Sequence, residues 1–232
     1  MLFDLLNKRF NTKHWDKTND IPQEKLDYIT DCLLKTPCKM AIINYKIVVI
    51  TDSPAGKEIK DWLFYEHTWN ANGVRAGQPG AEGHKDYNGQ YLAPIVIAWL
   101  NPLESPDEGI INNQRMLFPD YQRRENNIFI SNTVAMLSAE EQGLDTGFGS
   151  CHDEKELANK LGYPGFSCPI VLGIGYAKDM TTDIENMNLF IPVPDPAEPE
   201  KTLGTCFVNL PAHHPKPTRL MRPTKDQLDN II

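Results

Sequence analysis

The sequence predicts an α+β protein, and three observations carry that prediction. Short runs rich in β-branched residues, Tyr45 to Thr51, Pro94 to Leu100 and Cys168 to Tyr176, read as strands. Segments between and before them repeat apolar residues at helical spacing. The 232 residues, 41% hydrophobic and 23% charged, suit one globular domain with a sizeable core.

Taken in order, Asp20 is placed to cap the first helix, with Pro22 in its first turn and Gln23 at the capping-box position. Leu26, Ile29 and Leu33 then share one face through Lys35, and Thr36-Pro37 ends the helix. Tyr45 to Thr51 reads as a buried strand. Pro54 to His67 follows as a helix with Ile59, Trp62 and Leu63 inward. Residues 70–90 are rich in Gly, Asn and Gln and read as a long surface excursion; residues 101–124 carry Pro102, Pro106 and Pro119 and read as a second irregular stretch. Connections of that length are uncommon in compact domains, so each is expected to serve as a lid or substrate loop.

Asn127 to Gly143 is predicted as a central helix, because Ser131, Ala135 and Ser138 form a small-residue stripe among Ile130, Val134 and Leu137. Asp153 opens another helix, which ends at Leu161-Gly162, where glycine supplies the left-handed residue. Residues 178–232 are punctuated by Pro192, Pro194, Pro196, Pro199, Pro211, Pro215, Pro217 and Pro223. This segment is expected to be an extended arm whose basic, finally apolar end (Leu228 to Ile232) docks.

The net charge of -8 argues against general nucleic-acid or anionic-membrane binding. No apolar run approaches the roughly 20 residues that a bilayer requires. Five cysteines, without CxxC spacing, argue against a disulfide framework or a compact zinc site and lead to the expectation of a cytoplasmic protein. An anion must then be held locally, and basic clusters stand near each end, Lys8 to Lys17 and Lys216 to Lys225. In the first, Arg9, Asn11 and Lys13 alternate, so an extended chain would turn a guanidinium, an amide and an ammonium to one side. A solvated helix end is the competing reading of that run.

Arg9, Asn11, Lys13 and Trp15 resemble the opening motif of the nitroreductase-like flavoproteins, in which the basic pair holds the FMN phosphate and the polar residue assists along the ribityl chain. Gly147-Phe148-Gly149-Ser150-Cys151, followed by the capped helix, Gly162-Tyr163-Pro164 and the strand, resembles that family's glycine-rich turn beside the flavin ring. Lys216, Arg219 and Arg222 resemble its C-terminal basic motif, with Arg222-Pro223 the best single match. The resemblance implies a mixed, mainly antiparallel sheet flanked by helices, with an extended C-terminal arm. It implies FMN bound by Arg9, Phe10, Asn11, Lys13, Lys39, Gly147, Phe148, Gly149, Ser150, Cys151, Lys216, Arg219 and Arg222. It also implies a homodimer in which the arm embraces the partner. The activity implied is ping-pong transfer from NAD(P)H through flavin N5 to a small oxidised acceptor, with no side-chain acid or base required.

The sequence departs from the family at residues 37–45, where Lys39 takes the place of a polar contact to the ring and could stabilise negative charge at its N1–O2 end or simply be a solvated loop lysine. Two alternatives stay open. One is a flavin-binding protein of the same fold with a different redox or ligand-binding role. The other is a thiol or metal enzyme using Cys151, with His152, Cys206, His213 or His214, although neighbours in sequence rarely face each other as a thiolate–imidazole pair requires.

Overall fold

A computed structural model of the chain describes residues 5, 11–37, 45–66, 69–70, 85–86, 88–103, 107–111, 114–118, 121–150, 153–179, 190–194, 200 and 202–207. In chain order these form β1 (Trp15–Asp16), α1 (Gln23–Leu34), β2 (Lys46–Ile50), α2 (Pro54–Glu66), β3 (Trp69–Asn70), β4 (Lys85–Asp86) and a 3-10 turn (Gly89–Leu92). The chain continues through β5 (Ile95–Pro102), β6 (Asp107–Ile111), β7 (Gln114–Phe118), α3 (Tyr121–Glu141), β8 (Asp145–Ser150), α4 (Glu154–Lys160), β9 (Phe166–Ala177), β10 (Phe190–Pro194) and β11 (Thr202–Phe207).

The main sheet has five strands and is antiparallel at every pairing. Long β9 lies at its centre and pairs with β5, which pairs in turn with β2, and also with β8 and β1. Every residue of β5 is buried. Antiparallel sheets often leave one face to water, but here alternate residues enter two separate cores. Val96, Ala98 and Leu100 pack with Leu63 and Phe64 of α2, Leu157 and Ala158 of α4, and Tyr91 of the 3-10 turn. Ile95, Ile97 and Trp99 face the opposite way, onto Ile29 and Leu33 of α1 and Ile128, Ala135, Met136 and Ala139 of α3. Helices on both faces thus explain why Pro94 to Leu100 is apolar throughout.

The small-residue stripe behaves as its composition predicts. Ser131 and Ala135 are wholly buried, and the Trp99 indole Nε1 donates to Ser131 Oγ at 3.0 Å. Ile29, Leu33 and Leu63 turn inward as expected, and Gly162 ends its helix turn at φ 84°.

Five expectations are corrected. The N-cap of α1 is Pro22, which carries no side-chain acceptor, and Asp20 makes no cap. Among the described residues strand β2 pairs only with β5, and at this edge of the sheet Val49 is 48% exposed rather than buried. The stretch 101–124 contains the β6–β7 hairpin and the first turn of α3. The proline-rich arm contains the β10–β11 hairpin; Pro192 and Pro194 are tolerated because β10 has one partner strand among the described residues and so lies at an edge. Finally, Gly147 to Ser150 is part of strand β8, not a turn. For Gly147 to Ser150 the strand conformation follows from pairing with β9, more than twenty residues away along the chain.

Candidate functional site

Strand β8 hydrogen-bonds to β9 through its odd-numbered residues, which turns the polar main-chain atoms of Thr146, Phe148 and Ser150 to the outer edge. That edge is covered by two separate pieces of chain. The first is the end of the basic run. Asn11 bridges Thr146 in parallel register, Thr12 N donates to Thr146 O at 2.9 Å, and Phe148 N donates to the Asn11 side-chain Oδ1 at 2.6 Å. The second is the 3-10 turn. Gln90 Nε2 donates to Phe148 O at 2.9 Å, and the Tyr91 hydroxyl donates to Ser150 O at 2.6 Å.

The glycines of β8 allow this cover to lie close. A methyl group at Gly147 would come within 2.2 Å of the Thr12 carbonyl oxygen, and one at Gly149 within 2.4 Å of the Tyr91 ring. Gly173 of β9 likewise makes room for the Gln90 carbonyl oxygen. Thr12, Gln90 and Tyr91 are all buried. The glycine face of the strand is therefore filled by protein. A planar ligand would have to meet the edge or the exposed Ser150 end; Asn11, at that edge, and Lys13 are both half-buried.

Buried charges support the same region. Lys60 on α2 is 3% exposed; it pairs with Asp52 and donates to Ala93 O at 2.9 Å and Pro94 O at 3.2 Å, pinning the chain just after the 3-10 turn. Burial pushes its ammonium below the usual lysine value, against the raising influence of Asp52. Asp145 at the start of β8 accepts from Ala177 N at 2.7 Å, and burial pushes its carboxyl above the usual range even so. Trp15 Nε1 donates to Gly89 O at 2.8 Å, tying β1 to the turn.

No family model matches the chain, and no curated protein does. Solved structures do. A nitroreductase family protein from Clostridium novyi NT is 18% identical, with a TM-score of 0.54 over 77% of this chain and 86% of that one. An iodotyrosine deiodinase bound to FMN and 3-iodo-L-tyrosine is 16% identical, with a TM-score of 0.54 over 77% of this chain and 91% of its own. The enone reductase CLA-ER of gut-bacterial fatty-acid saturation is 14% identical, with a TM-score of 0.55 over 77% and 89%. The chain has the nitroreductase fold.

Within the nitroreductase fold, two of the three motifs read from the sequence meet. Asn11 and Thr12 lie against Thr146, Gly147 and Phe148, joined by the Asn11–Phe148 bond across 137 positions of sequence, and Lys13 follows them in the chain. Arg9, Phe10, Lys39, Cys151, Lys216, Arg219 and Arg222 lie outside the described residues, as do His152, His213 and His214. Among the described residues, no group of three His, Cys, Asp or Glu side chains is arranged to hold a metal ion, and no helix is long and apolar enough to cross a membrane. Gln90 and Tyr91 were missed by sequence reasoning. They stand at the junction of a loop and a strand, in no motif, and their role is visible only once β8 is beside them. An amide at this edge, a lysine two residues on and an exposed strand end at Ser150 fit an anionic, heteroatom-rich cofactor such as FMN.

Proposed function

We propose that the chain is an FMN-dependent oxidoreductase that uses NAD(P)H to reduce a small oxidised acceptor. The observation that carries this reading is the meeting of the Asn11–Lys13 segment with the glycine strand in a nitroreductase fold. Neighbours named for FMN support the choice of cofactor. FMN would supply the two-electron chemistry, accepting hydride from the nicotinamide and passing electrons to the acceptor in ping-pong order. In this reading Arg9, Lys13 and Arg222 hold the phosphate, with Lys216 and Arg219 as further candidates, and Asn11 assists. The main chain of 147–151 would border the ring, Phe10 is a further candidate for the cofactor, and Lys39 would serve the ring's N1–O2 end. The protein would be a homodimer with the 178–232 arm embracing the partner. The acceptor remains a class, because neighbours named as nitroreductase, enone reductase and deiodinase share the fold.

Purified protein incubated with FMN and desalted tests this directly. Retained yellow colour, bleached by NADH or NADPH under anaerobic conditions, is the expected result. Colour without bleaching supports instead a flavin-binding protein of different role. Arg9→Gln and Arg222→Gln should each weaken FMN binding by about tenfold to a hundredfold, the contribution of one charge-assisted hydrogen bond. Wild-type affinity in both variants would remove the phosphate assignment.

A further inference from the structure

Strand β8 has an unusual weakness for a strand that borders a reaction site. Two of its six residues, Gly147 and Gly149, lack side chains, so its main chain has more freedom to lose than that of any ordinary strand. Among the described residues, its outer edge also has no neighbouring strand beyond the single bridge at Asn11–Thr146. The 3-10 turn compensates with two consecutive side chains. Gln90 fixes the carbonyl of the 148–149 peptide, and Tyr91 fixes the carbonyl of the 150–151 peptide. Between these two anchors lies the Gly149–Ser150 peptide, whose N–H the antiparallel alternation directs to the same outer edge. The Tyr91 ring, wholly buried, also closes the space beneath Gly149.

Gln90 is an odd choice for packing alone. It is 6% exposed, and its Oε1 has no hydrogen-bond partner among the described residues. A buried amide with half its capacity unused is costly, and an apolar side chain of equal length would avoid that cost. What the amide adds is the Nε2–H bond to Phe148 O.

We propose that Gln90 and Tyr91 are positioning residues of the flavin site, holding the Gly149–Ser150 peptide at a fixed place and angle so that its N–H meets a heteroatom of the ring. The inference rests on the FMN reading given above. Neither side chain touches the cofactor; both act through the main chain they hold. Removing either anchor lets the glycine strand sample other orientations, which weakens the contact with the ring.

The test uses the full-length protein and four forms: wild type, Gln90→Met, Tyr91→Phe and Ser131→Ala. Ser131→Ala breaks a buried hydrogen bond of similar kind, with Trp99, on the other face of the sheet. FMN dissociation constant, the visible spectrum of bound flavin and its midpoint potential are measured, with the thermal midpoint of the FMN-free protein alongside. Gln90→Met and Tyr91→Phe should each weaken FMN about tenfold and shift both spectrum and potential, as expected for loss of one anchoring bond. Ser131→Ala should lower the thermal midpoint and leave all three flavin properties unchanged. If Gln90→Met does not fold, Tyr91→Phe, which keeps the ring beneath Gly149, decides alone. Wild-type flavin properties in the positioning variants, with only the thermal midpoint lowered, would overturn the inference and leave the flavin reading standing. Failure of the wild type itself to take up FMN would overturn both.

Discussion

At the scale of single residues, the two glycines of β8 are fixed by what lies against them. Gly147→Ala would set a methyl group against a backbone oxygen, which cannot rotate away as a side-chain tip could. We expect a destabilisation of about 1–3 kcal/mol, typical of overpacking, measured by urea unfolding. A variant as stable as the wild type would mean that Thr12 does not cover the strand. Asp145 gives a pH-dependent prediction. Burial raises its folded pKa above the ordinary 3.8, so its contribution favours the fold below that value and is lost as pH rises through the folded pKa. Asp145→Asn keeps an acceptor for Ala177 N and carries no charge. Its stability relative to the wild type should therefore rise from acid to neutral pH, and a flat difference in unfolding free energy between pH 3 and pH 7 would refute the burial argument.

At the scale of elements, the 3-10 turn is the part on which the proposed site would depend. Four residues long, it makes few bonds of its own and borrows rigidity from its surroundings. Trp15 holds its first carbonyl, Lys60 holds the carbonyls of Ala93 and Pro94 just after it, and glycines at 147, 149 and 173 let it sit directly on the sheet. Lys60→Met should keep the packing volume and leave those two carbonyls without their cationic donor, at a cost of about 1–3 kcal/mol. Thermal unfolding checks the cost, and no measurable loss would show that the turn is held without Lys60. The elements themselves were legible in unequal degree. Strands β5 and β9 and the helices α1, α2, α3 and α4 declare themselves through apolar runs and periodicity, because burial on a fixed face leaves a mark at every second or every third to fourth residue. The hairpins β6–β7 and β10–β11 leave no such mark in segments full of proline and charge, and β8, with two glycines among six residues, reads locally as a turn.

At the scale of the whole molecule, the proposal requires both ends of an acidic chain to reach one site. Asn11 and Thr12, just before Lys13, are already at the β8 edge. The C-terminal candidates Lys216, Arg219 and Arg222 belong to residues 208–232, which lie outside the described residues. Deleting 208–232 should leave far-UV circular dichroism close to that of the full chain, because every strand of the five-stranded sheet lies before it. FMN affinity should fall by about tenfold to a hundredfold or more, given the number of cations removed. Undiminished affinity after the deletion would show that the arm does not take part.

The sequence by itself determined the fold class and the principal strands and helices, because burial and periodicity are written residue by residue, and the two motifs that meet at β8 were legible through their resemblance to a family. Only the tertiary structure decided that the glycine stretch is a strand, that Pro22 rather than Asp20 begins the first helix, and that Gln90 and Tyr91 hold the strand's outer edge. Those facts depend on which distant segment lies alongside, and a hydrogen bond between residues 58 or 59 positions apart leaves no signature at either end.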